Sequence, residues 1–384
     1  MTRTTPRIDA HHHFWDPARY SYPWMAGDAM DPVRRAFTPD DLRGPLAAER
    51  IDGTVLVQTL SSVPETREFL QLAAATDFVH GVVGWVDLTA PGVADDLDAL
   101  LDGPGGRWLV GIRHQVHDEA DPDWLARADV RRGLAAVQAR GLTYDLLVRA
   151  RELPAAVDVA RAFPGLRFVL DHIAKPRIAD GRDELWSQRL PALAEQPNVA
   201  VKLSGMVTEA DWATWSPGDL RPFVSRVAAW FGVERLMFGS DWPVCLLASS
   251  YHAVLGALVD TLPAMSPAEL DQVLGRNAQR LYQLDKSTAA APRPSLPVRE
   301  PGGVPAPACH PGRRGRVGDR RQQTMWLDWR SDHAVDAYDH AGRPGPGSCE
   351  MELQVRRWQR AGQAGSRGTR RADCHPVAAA MPPR

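Results

Sequence analysis

Along the first 286 residues, short apolar or β-branched runs alternate with longer segments whose apolar positions recur at helical spacing. Eight strand-like runs stand out, at residues 7–15, 53–58, 80–88, 109–117, 143–148, 167–174, 199–205 and 235–243. Between them, segments such as PETREFLQLAAATD from Pro64, DVRRGLAAVQARG from Asp129 and PAAVDVARAF from Pro154 begin after polar or Pro start signals and read as amphipathic helices. Strand and helix alternating eight times in about 240 residues is the rhythm of an α/β (β/α)8 TIM-like barrel. A doubly wound open sheet shares that alternation.

The placement of polar residues favours the barrel. Five of the eight runs end abruptly in ionisable groups: Asp9, His11 and His13; Arg113 and His114; Asp171 and His172; Lys202; and Asp241. A barrel gathers such strand ends around one cavity, whereas an open sheet spreads them along a line. No GxGxxG follows the first run and no GxxxxGK[ST] occurs, so the phosphate-cradling glycines of dinucleotide and P-loop sites are absent.

The pattern fades after Lys286 into stretches dense in Pro, Gly and Arg, such as APRPSLPVREPGGVPAPACHPGRRGRVGDRR. The expected organisation is therefore a barrel over residues 1–286 and a low-order tail over 287–384, because such a composition buries too little surface to offset its ordering entropy. The tail holds 16 Arg, no Lys and 9 acidic residues. Arg without Lys, among scattered Cys and Trp, reads as an extension, frameshift or read-through of a GC-rich gene more than as a selected basic arm.

Over all 384 residues, 44% are hydrophobic, 24% are charged and the formal charge is −2, which points to a globular protein and gives no electrostatic reason to expect nucleic acid or a membrane as partner. Cys245 is the one cysteine in the first 286 residues, so no intrachain disulfide is expected there and a cytoplasmic setting fits. Neither an apolar leader nor a run of about 18 apolar residues is visible.

Period-two alternation through Asp9-Ala10-His11-His12-His13 places Asp9, His11 and His13 on one face and His12 on the other, where packing or support is its expected duty. Two imidazoles two residues apart can grip one ion. Asp241 in FGSDWP follows two small residues that leave room around its carboxylate, as a general base or metal ligand needs, although Asp is also a common helix cap. Adjacent Asp171 and His172 should point opposite ways, and His172 is expected to face the mouth. Arg113 and Lys202 supply cations that clamp an oxyanion, a carboxylate or sugar hydroxyls, or that form structural salt bridges. His114, Trp242 and the aromatic loop that contains Trp24 complete the candidate substrate-binding set.

Together DAHHHFWDP, GIRHQ, LDHIAKP, KLSG and FGSDWP resemble the amidohydrolase superfamily. Within it they are similar to the sugar-lactonase branch of L-fuconolactonase- and L-rhamnonolactonase-like hydrolases, with 2-pyrone-4,6-dicarboxylate lactonase more distant. The resemblance spans residues 7–284 and implies an amidohydrolase-type barrel with its site at the C-terminal mouth. It carries the superfamily's first-strand HxH onto His11 and His13, its sixth-strand His onto His172 and its eighth-strand Asp onto Asp241. The bridging ligand of the fourth strand and the His of the fifth are missing, since Arg113 and Tyr144-Asp145 stand there. No binuclear centre is then expected. Two cofactor states stay open: a single Zn²⁺ on His11, His13 and Asp241, or no required metal.

The activity so implied is hydrolysis of an aldonolactone. Asp241 would activate water while His11, His13 and His172 polarise the carbonyl. Rival readings are a metal-dependent nonoxidative decarboxylase, which the missing fifth-strand His disfavours, a metal-dependent amidase or phosphotriesterase-like hydrolase, and a non-catalytic binding protein on a degenerate barrel.

Overall fold

Eight strands form where the apolar runs predict them, in a computed structural model that describes residues 5–284. They are β1 Ile8–His12, β2 Gly53–Val57, β3 Val79–Gly84, β4 Leu109–His114, β5 Thr143–Leu146, β6 Arg167–Leu170, β7 Val199–Leu203 and β8 Leu236–Phe238. The expected tail from residue 287, with Cys309, Cys349 and Cys374, lies outside the described residues.

Each strand pairs in parallel with the next, in the order β1 to β8. The ring closes just beyond β8, where Asp241 N–H donates to His11 O at 2.8 Å and His13 N–H donates to Trp242 O at 2.7 Å. This closure makes the fold a TIM-like barrel and not an open sheet. Its helices are α1 Pro39–Glu49, α2 Val63–Ala75, α3 Val93–Leu101, α4 Ala128–Ala139, α5 Leu153–Ala162, α6 Glu184–Ala194, α7 Pro217–Phe231, α8 Tyr251–Thr261, α9 Pro267–Asp271 and α10 Asn277–Tyr282. Local sequence sets their starts: Thr38 with Asp41 and Ser216 with Asp219 form capping boxes at α1 and α7, and Ser62 caps α2. Among the described residues no helix is long and apolar enough to cross a membrane.

Two apolar layers result. A large one fills the space between strands and helices. A smaller one inside the ring joins Ile8, Ala10, Val55, Val57, Val83, Val169, Ala200 and Met237 to Ala278, Leu281 and Tyr282 of α10, which plugs the end of the barrel opposite the mouth. The expected runs overshoot at β6 and β8, which stop at Leu170 and Phe238. Beyond those points polar side chains turn into the mouth and the ladder ends.

Candidate active site

The site is built on β1, whose pairing with β2 shifts register between Asp9 and His12. That irregularity breaks the expected alternation. Asp9 does not join the histidines; its carboxylate instead accepts from the N–H groups of Ser240 and His11 and from the Tyr251 hydroxyl on α8. Burial pushes Asp9 up to about 6 against those hydrogen bonds. His12 points away from the mouth, with Nε2 2.8 Å from Thr54 Oγ1. Burial lowers it to about 3, so it is neutral in the fold.

His11 and His13 enter the mouth with their Nε2 atoms 3.2 Å apart. The Val57 carbonyl, 2.8 Å from His13 Nδ1, can only accept, so His13 Nε2 presents a lone pair to the cavity. For His11, Asp171 Oδ1 at 3.3 Å from Nδ1 and Arg113 Nη1 at 3.4 Å from Nε2 favour the same tautomer, against Lys202 Nζ, a donor 3.2 Å from Nδ1. Asp241 Oδ1 stands 3.4, 3.7 and 3.9 Å from Nε2 of His13, His11 and His172 respectively. Burial alone would raise the Asp241 pKa; positive charge on His172, His11 and His13, where these rings take up a proton, outweighs it and holds the carboxylate well below its ordinary range. Asp241 adopts φ 57°, and its side chain turns to the histidines, where a capping role would have turned it outward.

His172 reaches this cluster by an unusual turn. Directly after β6, His172, Ile173, Ala174 and Lys175 all take left-handed backbone values, φ 52°, 48°, 63° and 47°. The strand's alternation has ended, so Asp171 and His172 both face inward, contrary to the expectation that only one could. His172 Nδ1 lies 2.9 Å from Ser204 Oγ, and burial lowers its pKa to about 4, against the pull of Asp241. Gly205, at φ 61°, leaves room for that ring: a Cβ there would lie 2.5 Å from His172 Nδ1.

Beneath the histidines lies a buried ionic layer. Arg113 Nη1 donates to Asp171 Oδ2 at 2.9 Å and stands 3.4 Å from His11 Nε2. Lys202 Nζ lies 2.6 Å from Asp145, 3.0 Å from Asp171 and 3.2 Å from His11 Nδ1. The Tyr282 hydroxyl rises from the floor to donate to Asp145 at 2.7 Å. Asp171, held well below its ordinary range by Lys202, His11 and Arg113 despite its burial, anchors the layer. Burial pushes Asp145 up, against Lys202.

A cavity of about 210 Å³ opens above, lined by His13, Arg113, His172, Asp241 and Trp24 among the expected residues. Three expected substrate contacts are elsewhere. Lys202 is fully buried in the ionic layer and does not line the cavity, because its chain runs down inside the ring to Asp145. His114, beside Arg113, points to the opposite face, stacked on Trp124 at 4.3 Å and bonded to Trp85 and Glu119. Trp242 is buried behind the site against Phe14 and Phe37.

Gln115, next in line after Arg113 and His114 in the expected set, lines the cavity too, and so do Thr59, His117, Asp118 and Lys175, which lay outside that set. So did Asp145 as a support. For it a signal exists: desolvated cations on β4 and β7 require anions nearby, and β5 carries one beside the Asp171 that follows β6.

Several potential ligand atoms converge here. His11, His172 and Asp241 offer atoms within 4.8 Å of one another, a buried set able to hold a metal ion, with the His13 lone pair alongside.

A parallel barrel with a His/Asp cluster at the C-terminal ends of its strands defines a barrel hydrolase of the amidohydrolase type. The amidohydrolase family profile matches residues 8–284, and the chain belongs to that family. It is 41% identical over 288 residues to an L-fucono-1,5-lactonase of Burkholderia ambifaria, covering 73% of this chain and 97% of that one. A second L-fucono-1,5-lactonase, from Burkholderia multivorans, is 39% identical, with 74% and 98% covered. The crystal structure of a Burkholderia multivorans amidohydrolase with bound zinc superposes with a TM-score of 0.67 at 38% identity, covering 72% of this chain and 99% of the other.

Proposed function

We propose that this chain hydrolyses an aldonolactone, an L-fucono-1,5-lactone or a close relative, by attack of Asp241-activated water on the ring carbonyl. The observation that carries the reading is the buried, ionised Asp241 facing three imidazoles and Arg113 in a cavity of sugar size, in a chain some 40% identical to two L-fucono-1,5-lactonases.

Asp241 is held as the carboxylate, the form a base requires. Its low pKa makes it a weak base, and a lactone, being an activated ester, asks for little more. Arg113 is the donor aimed at the charge that develops on the carbonyl oxygen, and in protein without a bound ion the Nε2–H of His172 joins it when Ser204 donates to Nδ1. His11 and His13 present lone pairs, so in this tautomer they do not donate to that oxygen. Their fitting role is to hold, with His172 and Asp241, a single Zn²⁺ or similar ion, which when bound supplies Lewis acidity toward the carbonyl. The decarboxylase reading lacks its ligand, since the fifth-strand Asp145 is committed to Lys202 below the site.

The test is a pH-indicator assay on a panel of aldonolactones with metal-stripped and zinc-loaded protein. Asp241→Asn should lose about 10²–10⁴-fold in kcat/KM. Zinc should raise the melting temperature of the wild type and not of His11→Ala protein. A wild type inert on every lactone, in both metal states, would overturn the proposal.

A further inference from the structure

The turn that aims His172 also delivers Lys175. The Lys175 N–H donates to His172 O at 2.8 Å, and at about three residues per turn the two side chains emerge on one side, where both line the cavity. A left-handed run of four non-glycine residues is rare enough to require a reason. Bringing His172 and Lys175 to the cavity together is such a reason.

Lys175 Nζ meets Glu209 at 2.5 Å. An ammonium has three donors; Glu209, which Arg149 shares at 3.7 Å, takes one, while the others are available to a ligand in the cavity. Asp118 lines the same cavity and is 71% exposed, one oxygen lying 3.2 Å from His117 Nε2 and the other adding acceptor capacity. A donor and an acceptor in one small cavity match a hydroxyl group, which accepts from one and donates to the other. An anionic ligand fits less well, because Asp118 repels it.

We propose that Lys175 and Asp118 bind substrate hydroxyls and set a preference for polyhydroxylated over unsubstituted lactones. This rests on the lactonase reading and assigns the specificity of that same site.

The experiment compares kcat/KM for a hydroxylated 1,5-lactone with that for an unsubstituted six-membered lactone, in wild type, Lys175→Met and Asp118→Ala. The ratio of the two should fall at least tenfold in each variant, the usual scale for a lost hydrogen bond to a charged group. A general defect lowers both substrates together and leaves the ratio alone, so an unchanged ratio in either folded variant overturns the inference. Asp118→Ala alters an exposed side chain and decides the matter if Lys175→Met fails to fold. Calorimetric titration with the uncharged lactam analogue of the hydroxylated lactone separates the two readings. Wild type that opens no lactone but binds the lactam at least tenfold more tightly than both variants ends the hydrolytic reading and keeps this one; wild type that neither turns over nor binds ends both.

Discussion

Lys202 shows how a side chain that reads as a substrate clamp becomes part of the barrel's interior. It is fully buried and touches Asp145, Asp171 and His11, so its charge is balanced inside the ring and cannot be removed cheaply. Lys202→Met should destabilise the fold by about 3–5 kcal/mol, the cost of leaving a buried ionic partner unpaired, as measured by denaturant unfolding. Adding Asp145→Asn should recover part of that loss; if the two losses simply add, the two side chains are not coupled. Arg113 plays both parts, since the same guanidinium that steadies Asp171 also lines the cavity.

The segment from β6 into the left-handed turn concentrates the strain of the site. Each non-glycine residue there costs about 1–2 kcal/mol over a right-handed conformation. Ala174 sits in the middle, at φ 63°, and is not among the residues that line the cavity. Ala174→Gly should therefore stabilise the protein by about 1 kcal/mol, seen as a rise in the unfolding midpoint, with turnover kept near wild type. A fall in stability would mean that the buried Ala174 methyl contributes more by packing than it costs in strain. This turn also marks where sequence reading stops. The eight strands and the helices between them follow from hydrophobic period alone, and the ends rich in His and Asp locate the mouth. Period-two logic assumes a continuous strand, however. It fails at β1, where a register shift separates Asp9 from His11, and after β6, where Asp171 and His172 both turn inward. His114 and Trp242 were misplaced for a related reason: proximity in sequence to Arg113 or Asp241 does not decide which way a side chain faces.

Over the whole barrel, pH acts through groups buried in their neutral forms. His12 is lowered to about 3, His117 to about 3 and His172 to about 4, chiefly by burial. Each binds a proton near pH 6.5 when unfolded but not when folded. Their stabilisation is thus complete above about 6.5 and is lost as pH falls toward 3–4, at about 1.4 kcal/mol per pH unit per group. Asp9, raised to about 6, works in the opposite sense between about 4 and 6, so the net curve is shallower than the histidines alone would give. His12→Gln isolates one contribution: the stability advantage of wild type over the variant should shrink steadily from pH 6.5 to 4 in chemical denaturation, and an advantage independent of pH would refute this assignment.

The ring closes through Asp241 N–H to His11 O and His13 N–H to Trp242 O, so the last seam of the barrel is stitched by residues of the proposed catalytic cluster. These partners are more than 200 residues apart in the chain and among the last that loop closure can bring together. A half-folded chain, with seven strands paired and the eighth adrift, has no cluster of histidines around a carboxylate. On the proposed mechanism the protein thereby has a built-in report of its own completion: reactivity toward substrate exists only once the first and last strands have met.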